Sequence, residues 1–329
     1  MTLRDVAAAA NVNFSTVSKV LNNNSGINVR PETRQRILDA AEKLKYRPDP
    51  VARSLRFSST GALAMLFPDL TNPVYALIMR GAAQRAEELG YTILLAELGE
   101  ERTASSYQRL VNEHRIDGLV ISTSGESSDI VDELSLEVPH VYVNRQAHAD
   151  DVQSVTVDDE AAGKLAAEAL LAAGHVHLAF VGDSDRTDTA RRRRLGFMRA
   201  CGAANVPDPL DMVAPYTRAG GYETALRLLR SNRPPTAIFA SSLLVGIGAL
   251  SAAHQTGTAV PDDLSLVTLD SQDADYTVPP MTAVRLPHRE MGAAAIEMID
   301  RVLNGEPAGS YVVPTVPVLI DRASVAPPR

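Results

Sequence analysis

The sequence predicts a small all-α head followed by an α/β body that consists of two parallel-sheet lobes. Residues 2–47 contain short helical segments joined by tight turns, whereas from residue 61 short apolar runs alternate with longer amphipathic ones. Strands that alternate with helices in this way are typical of parallel sheets with both faces covered. The alternation continues for more units than one ordinary open sheet holds, so we expect two sheets.

The predicted elements give the boundaries of the domains. The predicted strands are residues 62–67, 92–96, 118–122, 140–143, 177–181, 237–240 and 264–269, and the predicted helices include residues 74–89, 105–113, 159–173, 189–200, 221–230 and 243–256. Residues 48–60 contain Pro48 and Pro50 and are predicted to link the head to the body. The predicted domains are therefore residues 1–47, 48–60 and 61–329. A ligand crevice is expected between the lobes, at the carboxyl ends of the strands.

Charge is distributed unevenly along the chain. Residues 1–60 contain ten Lys and Arg against five Asp and Glu, whereas the remaining residues contain 22 against 35. A small basic head on an acidic body is typical of a protein that binds a polyanion and has a second, unrelated task.

Several classes of protein are excluded by the sequence. No apolar run reaches the length of about 18 residues that a transmembrane helix needs, and the first residues do not resemble a signal peptide, so we expect a cytoplasmic protein with no membrane partner. Cys201 is the only cysteine, which excludes an intrachain disulfide and a multi-cysteine zinc site. Because the chain also lacks the common catalytic motifs, we expect no cofactor, no metal and no enzyme activity.

The head has the local signals of three helices. Thr2 and Asp5 fit a capping box, and Asn11 stands where a tight turn needs a left-handed residue. Asn13 can cap a second helix over residues 14–21, and Pro31 can open a third. Apolar contacts would come from Val6, Val12, Val17 and Leu21, while the other faces of the second helix carry side chains of the kind that reach bases and phosphates: Phe14, Ser15, Ser18, Lys19 and Asn22.

The head and linker together resemble the DNA-binding region of the LacI/GalR (lac repressor) family. The resemblance covers residues 2–7 (TLRDVA), 12–22 (VNFSTVSKVLN), 33–34, 46–48 and 51–56 (VARSLR). Asn11 replaces the usual turn glycine and Asn13 the usual serine, and both substitutes suit the same conformations. The resemblance implies a helix-turn-helix transcription regulator, a repressor, that binds a near-palindromic DNA operator.

The same resemblance implies a role for each residue of the DNA-binding set. Phe14, Ser15 and Lys19 would face base edges in the major groove, and Thr16, Ser18 and Asn22 would mostly hold phosphates. Residues 50–57 would form a hinge helix in which Leu55 wedges open the central minor-groove step and the small Ala52 lets the helix sit deep. The full predicted set is Thr2, Asn13, Phe14, Ser15, Thr16, Ser18, Lys19, Asn22, Tyr46, Ala52 and Leu55.

The body resembles the effector-binding domain of the same family along nearly its whole length, which implies the fold of periplasmic sugar-binding proteins. The matching segments include residues 69–75 (DLTNPVY), 143–145 (VNR), 157–159 (VDD), 193–197 (RRLGF) and 264–270 (LSLVTLD). The implied effector is a sugar or a sugar derivative. Carboxylate, guanidinium and amide groups suit its hydroxyls, and a tyrosine ring suits its apolar face. The predicted effector-binding residues are Asn72, Tyr75, Asn144, Arg145, Arg193 and Asp270.

Two features of the body depart from the family pattern. Ser242 and Leu243 stand where many members have Asn-Asp, so a carboxylate that often binds sugar hydroxyls is missing. Residues 191–194 are four consecutive arginines, which form either a solvated basic face or, if one or two of them face the crevice, a site for an anionic ligand such as a sugar phosphate or acid.

The implied assembly is a homodimer in which effector and operator bias one equilibrium. The sequence leaves open whether the effector induces or co-represses, and whether dimers pair into tetramers. Two other interpretations remain to be weighed: a solute-binding body whose head contacts a protein rather than DNA, and a Rossmann-type enzyme.

Overall fold

The computed structural model describes residues 2–21, 29–45, 60–97, 115–122, 138–145, 153–185, 187–269, 272–306 and 308–329. The helix predicted over residues 105–113 and the linker predicted over residues 48–60, apart from Thr60, lie outside the described residues. Contacts between Cα atoms divide the chain into Met1–Thr60, called the head below, and Gly61–Arg329, called the body.

Nine α-helices and twelve strands occur among the described residues. The helices are α1 (Leu3–Ala10), α2 (Phe14–Leu21), α3 (Pro31–Lys43), α4 (Pro73–Leu89), α5 (Asp159–Ala172), α6 (Asp188–Ala203), α7 (Arg218–Leu229), α8 (Leu243–Thr256) and α9 (His288–Leu303). The strands are β1 (Ala62–Phe67), β2 (Thr92–Glu97), β3 (Gly118–Ile121), β4 (His140–Val143), β5 (Ser154–Thr156), β6 (Leu178–Gly182), β7 (Leu210–Val213), β8 (Ala237–Ala240), β9 (Ser265–Leu269), β10 (Thr282–Arg285), β11 (Ser310–Val312) and β12 (Val318–Ile320).

The head has the predicted local chemistry. The Asp5 carboxylate accepts hydrogen bonds from the backbone N–H and the hydroxyl of Thr2, at 2.7 and 3.0 Å, and so fixes the start of α1. Asn11 ends that helix in the left-handed conformation, with φ of 50°. Pro31 is the first residue of α3, where its missing N–H costs nothing. The three helices enclose a small core of Val6, Ala7, Ala10, Val17, Val20, Ile37 and Ala40.

The body contains the two predicted parallel sheets. The strand order of the first sheet is β11-β5-β4-β3-β1-β2, and that of the second is β12-β10-β9-β8-β6-β7. Every strand pair is parallel except β10 with β12, which is antiparallel. The central strands β1, β3, β6, β8 and β9 are buried along almost their whole length, as parallel strands covered by helices on both faces must be.

The chain crosses between the two sheets three times. After β5 it enters α5, which packs on strands of the second sheet, and after β10 it enters α9, which packs on β3, β4 and β5 of the first. It then adds β11 to the first sheet and returns to the second as β12. Each lobe is therefore built from separate parts of the sequence, and two of the crossing segments run directly into helices.

Several elements of the structure were not predicted from the sequence. Strands β5, β7, β11 and β12 have only three or four residues, too few for a periodic signal, and β10 has four. Helix α9 is a different case, because its buried Met291, Ala295, Ile296 and Ile299 follow the helical spacing and could have been found. The predicted strand that began at His177 begins instead at Leu178.

Glycines bring three helix pairs into close contact. A Cβ atom added to Gly163 of α5 would lie 1.9 Å from the carbonyl oxygen of Arg193, and one added to Gly196 of α6 would lie 1.9 Å from that of Glu160. Each helix of the pair therefore uses a glycine to approach the backbone of the other. The same reciprocal arrangement joins α4 to α9 through Gly81 and Gly292, and α7 to α8 through Gly221 and Gly248.

Residues 323–329 are anchored to the second lobe. Ser324 is fully buried, and its hydroxyl accepts a hydrogen bond from the backbone N–H of Thr282 at 2.8 Å. The ring of His175 is also buried, and its Nε2 lies 2.9 Å from both the Ser265 hydroxyl and the Ala326 carbonyl oxygen. In the part of the chain that the structure describes, no helix is long and apolar enough to span a bilayer.

Candidate functional site

The exposed side of α2 carries most of the predicted DNA-binding residues of the head. Phe14 is 40% exposed, an unusual fraction for a phenylalanine, and Ser15 and Lys19 are exposed beside it. The opposite side of the helix buries Val17 and Val20 in the core of the head. The structure therefore leaves an aromatic ring, a hydroxyl and a cation together on one solvent-facing surface.

The start of α2 is capped by a predicted residue. The side-chain oxygen of Asn13 accepts hydrogen bonds from the backbone N–H and the hydroxyl of Ser15, both at 2.9 Å. The hydroxyl of Ser15 therefore already donates its proton and offers lone pairs to other groups. Thr16 is half-buried next to this cap, and Thr2 is exposed at the start of α1.

Ser18 departs from the prediction that it faces a phosphate. Only 4% of its surface is exposed, because it follows Val17 on the side of α2 that turns toward the core of the head. The predicted DNA-binding residues Asn22, Tyr46, Ala52 and Leu55 lie outside the described residues.

A cavity between the two sheets of the body collects the other predicted residues. Its volume is about 50 Å³, much less than the roughly 300–1,000 Å³ of pockets that enclose a drug-sized ligand, so the cavity is narrow in this conformation. The lining comes from both lobes and consists of Asn72, Pro73, Val74, Tyr75, Asn144, Thr187, Asp188, Thr189, Arg193, Tyr216, Ser242, Leu243, Leu269 and His288. Asp270, which directly follows Leu269, lies outside the described residues.

Two predicted residues enter the cavity at the start of α4. The side-chain oxygen of Asn72 accepts a hydrogen bond from the backbone N–H of Val74 at 3.2 Å and so caps the helix. Tyr75 is buried, and its ring centre lies 4.9 Å from that of Phe67. Burial is the main cause that raises the pKa of the Tyr75 hydroxyl, which stays protonated at neutral pH.

Asn144 and Arg145 follow the same strand, β4, but differ in position. Asn144 has a positive φ of 60°, is 9% exposed and lines the cavity, and its side-chain oxygen is buried with no hydrogen-bond partner. Arg145 is absent from the lining, and its guanidinium lies 5.6 Å from the centre of the Tyr142 ring. Because adjacent residues project in different directions after a strand, only Asn144 of the two lines the cavity, and a contact of Arg145 with the effector stays a prediction.

Arg193 lines the cavity, but its guanidinium group, which was predicted to bind the effector, already has hydrogen-bond partners within the protein. The guanidinium Nε donates to the Asp159 carboxylate at 2.7 Å, and Nη1 donates to the carbonyl oxygen of Ser241 at 2.9 Å. Both charged side chains are almost completely buried. Burial lowers the pKa of Arg193, but Asp159 and Tyr216 outweigh that effect and raise it overall. The buried charge of Arg193 is therefore compensated within the protein.

The four consecutive arginines form neither the solvated basic face nor the anion site that the sequence left open. Each of them has an aspartate partner within 2.9 Å, and three of the four aspartates come from nearby residues on α5 or α6 or in the loop before α6. The pairs are Arg191 with Asp188, Arg192 with Asp159 and Asp188, Arg193 with Asp159, and Arg194 with Asp185 and Asp211.

The sequence analysis missed three residues of the cavity region. Asp159 bonds Arg193 beside the cavity, whereas its neighbour Asp158 caps the helix through a 2.8 Å bond from the backbone N–H of Ala161. Tyr216 lines the cavity, and its hydroxyl lies 3.3 Å from that of Ser241. His288 is the first residue of α9, a helix that the sequence analysis did not name.

The Ser-Leu departure from the family pattern lies directly at the cavity. The Ser242 hydroxyl accepts a hydrogen bond from the backbone N–H of Val245 and caps α8, while the Leu243 side chain adds apolar surface to the lining. Among the described residues, no cluster of three or more His, Cys, Asp or Glu side chains could hold a metal ion.

Family models match both parts of the chain. Residues 2–49 match the model described as bacterial regulatory proteins, lacI family, and residues 167–325 match the model described as periplasmic binding protein-like domain. The two matches correspond to the helix-turn-helix head and to the second half of the body.

Curated relatives match over nearly the full length. The chain is 31% identical to the HTH-type transcriptional regulator DegA of Bacillus subtilis over 99% of this chain and 98% of the relative. It is 29% identical to the HTH-type transcriptional repressor PurR of Aliivibrio fischeri, over 99% of this chain and 98% of the relative. These relatives are transcription regulators and not enzymes.

Solved structures have the same fold. A complex of the transcriptional regulator CelR with cellobiose matches with a TM-score of 0.74 and 26% identity, over 98% of this chain and 99% of that chain. A lac repressor dimer bound to operator and the anti-inducer ONPF matches with a TM-score of 0.81 and 22% identity, over 99% of each chain. The fold, the matching family models and the relatives that match over nearly the whole chain agree. The chain belongs to the LacI family of DNA-binding transcriptional regulators.

Proposed function

We propose that this protein is a homodimeric repressor, acting in the cytoplasm, that binds a near-palindromic operator and is controlled by a small, carbohydrate-derived effector. The observation that carries the proposal is the surface of α2, where Phe14, Ser15 and Lys19 are exposed together while the other side of the helix is buried. These are side chains that contact bases and phosphates in the major groove. The proposed DNA contacts of the described residues also include Thr2, Asn13 and Thr16, which are exposed or half-buried.

The hinge completes the proposed operator contact. Ala52 and Leu55 would enter the minor groove, Asn22 would mostly hold phosphates, and Tyr46 would add a further contact with the duplex. A solute-binding protein whose head contacts a protein would need none of these DNA contacts, so operator binding discriminates between the two interpretations.

The effector proposal rests on the cavity of the body. Asn72, Tyr75, Asn144 and Arg193 contribute to one lining, and Asp270 adjoins it in sequence. The match to a regulator solved with cellobiose supports a carbohydrate. Because the cavity is narrow, the lobes or their side chains must move for a sugar-sized ligand to enter.

The dimer proposal rests on an edge strand. Strand β2 ends the first sheet, and its Leu94 and Leu95 are 39% and 48% exposed. An edge strand with exposed leucines is a liability for a monomer and a natural contact for a second copy. Leu95→Lys is expected to shift the protein from dimer to monomer in sedimentation velocity runs, while Lys164→Ala, which alters an exposed body residue, leaves the dimer intact.

DNA selection tests the regulator proposal directly. The full-length protein is expected to enrich one near-palindromic site from random duplexes, with an affinity that falls steeply as salt is raised. Lys19→Ala should weaken binding to that site by about 1–3 kcal/mol, with a smaller effect on unrelated DNA. Lys164→Ala removes the same charge from the body and should bind like the wild type. A wild-type protein that enriches no site, with or without candidate sugars, would refute the proposal.

A further inference from the structure

Most polar side chains that line the cavity already have partners within the protein. Arg193 is bonded to Asp159 and to Ser241, and Asp188 pairs with neighbouring arginines. Asn72 and Ser242 each accept a hydrogen bond from the start of a helix. These side chains shape the cavity, but few of their hydrogen-bond donors and acceptors remain available to a ligand.

Two polar groups of the lining are buried without any partner. Both ring nitrogens of His288 lack a hydrogen bond, although the residue is only 3% exposed, and the side-chain oxygen of Asn144 is equally unpaired. A buried polar group left unpaired costs about 1–3 kcal/mol, so such groups are rare in folded proteins unless a ligand or another process uses them. Both lie at the same cavity and come from the first lobe, on α9 and directly after β4.

The backbone of His288 has a hydrogen-bond partner, although its ring does not. The backbone N–H of His288 donates to the carbonyl oxygen of Leu286 at 2.8 Å, so the main chain is satisfied while the ring points into the lining. Burial, helped by the nearby charge of Arg193, lowers the pKa of His288 to about 4. The ring is therefore neutral at pH 7 and offers one donor and one acceptor.

The charges around the cavity are balanced before any ligand binds. Asp159 offsets Arg193, and Asp188 is offset by Arg191 and Arg192. Leu243, in place of a carboxylate, and Leu269 add apolar surface rather than charge. An anionic ligand would find no uncompensated cation in the described lining, so it would lose its hydration without gaining an ion pair.

We propose that the effector is an uncharged molecule with hydroxyl or N–H donors, and that it is oriented by hydrogen bonds to the His288 ring and the Asn144 side-chain oxygen. This inference rests on the proposed function, because it specifies the ligand of the same cavity. It assigns His288 to ligand binding and excludes sugar phosphates and sugar acids as the effector class.

Matched neutral and anionic probes test the ligand class. The pairs are ribose with ribose 5-phosphate, glucose with glucose 6-phosphate and with gluconate, and inosine with inosine monophosphate. In a thermal-shift experiment on the full-length protein at pH 7.5, at least one neutral member should raise the melting temperature while its anionic partner does not. Preferential stabilisation by an anionic member, or stabilisation by none of the neutral members, would overturn the inference.

Variants of His288 test the assigned residue by calorimetric titration of the neutral probe that stabilises the protein most. His288→Phe keeps a ring of similar size without nitrogens and should weaken binding about tenfold, whereas His288→Gln keeps a donor and an acceptor and should lose about threefold or less. His254→Gln, which alters an exposed histidine on α8, should match the wild type. Equal affinity of His288→Phe and the wild type would show that the ring does not contact the ligand.

The two proposals fail in different measurements. A wild-type protein that selects an operator but binds anionic probes retains its proposed function and overturns only the ligand class. A wild-type protein that selects no DNA site overturns the proposed function, whichever probes it binds.

Discussion

The close contact of α5 and α6 makes opposite predictions for two glycines of one helix. A Cβ atom at Gly196 would lie 1.9 Å from the carbonyl oxygen of Glu160 and 2.9 Å from the backbone nitrogen of Lys164. At Gly202, near the end of the same helix, an added Cβ atom would meet nothing within 4 Å. Gly202→Ala is therefore a control with the same chemistry in the same helix.

The magnitudes decide the sign of each effect. Alanine is better than glycine in a helix interior by about 1 kcal/mol, so this gain applies fully at Gly196 and in part at Gly202, the second-last residue of α6. At Gly196 the obstacle is backbone, which cannot rotate away, so the two helices must separate by more than about 1 Å, and overpacking of this kind costs about 1–3 kcal/mol or more. Because that separation would also disturb the buried ion pair of Arg193 and Asp159, we expect Gly196→Ala to be destabilised by about 2 kcal/mol net.

Equilibrium unfolding in urea measures both variants, with the transition of the body followed by calorimetry as a second probe. Gly202→Ala should be more stable than the wild type by about 0.5–1 kcal/mol, so the two variants should differ by about 3 kcal/mol. The slope of the transition should not change, because neither variant alters the surface exposed on unfolding. If Gly196→Ala unfolds at the same urea concentration as Gly202→Ala, the backbone of α5 does leave room for a Cβ atom at Gly196, and the prediction is refuted.

Three further predictions concern the head, the buried ion pair and the cavity histidine. Asn11→Ala should lower the stability of the head by about 1 kcal/mol in a circular dichroism melt, because Asn11 has a positive φ, whereas Asn11→Gly should match the wild type. Arg193→Met should cost about 3 kcal/mol in urea by leaving Asp159 undercompensated, and Asp159→Leu combined with it should recover most of that loss; a double variant less stable than the single one would contradict this account. The pKa of His288 lies near 4 in the folded protein and at 6.5 when unperturbed, so unfolding takes up a proton between these values and stability falls as pH falls. Between pH 7 and pH 5 the wild type should lose about 2 kcal/mol more than His288→Phe, and parallel pH profiles of the two proteins would refute the assignment.

The sequence predicted well where the chemistry is local. The bond between Thr2 and Asp5, the left-handed Asn11 and the cap at Asn13 each depend on residues no more than three positions apart. The buried strands of the body are equally local, because a short apolar run identifies a strand that is covered on both faces. All seven predicted strands are present, each within one residue of its predicted ends.

The sequence did not predict where side chains meet across long separations. Arg193 was expected to offer its guanidinium to a ligand, but Asp159, 34 residues earlier, and the Ser241 carbonyl, 48 residues later, occupy it. The anchoring of residues 323–329 likewise depends on His175, which lies 151 residues from its partner Ala326. Burial and pairing of this kind are set by packing between elements, for which periodicity carries no signal.

The position of His288 connects the cavity to the joints between the lobes. Helix α9 begins at His288, directly after β10 leaves the second sheet, and α5 begins at Asp159, directly after β5 leaves the first. The charges of Asp159 and Arg193 both act on the His288 ring, so the starts of the two crossing helices lie close together beside the cavity. Any change in the angle between the lobes must be taken up where the chain crosses between them. A ligand bonded to His288 would therefore contact the protein where the chain crosses between the lobes, and not only within one rigid lobe. Such a ligand can shift the equilibrium between two arrangements of the lobes only by the difference in its affinity for the two arrangements.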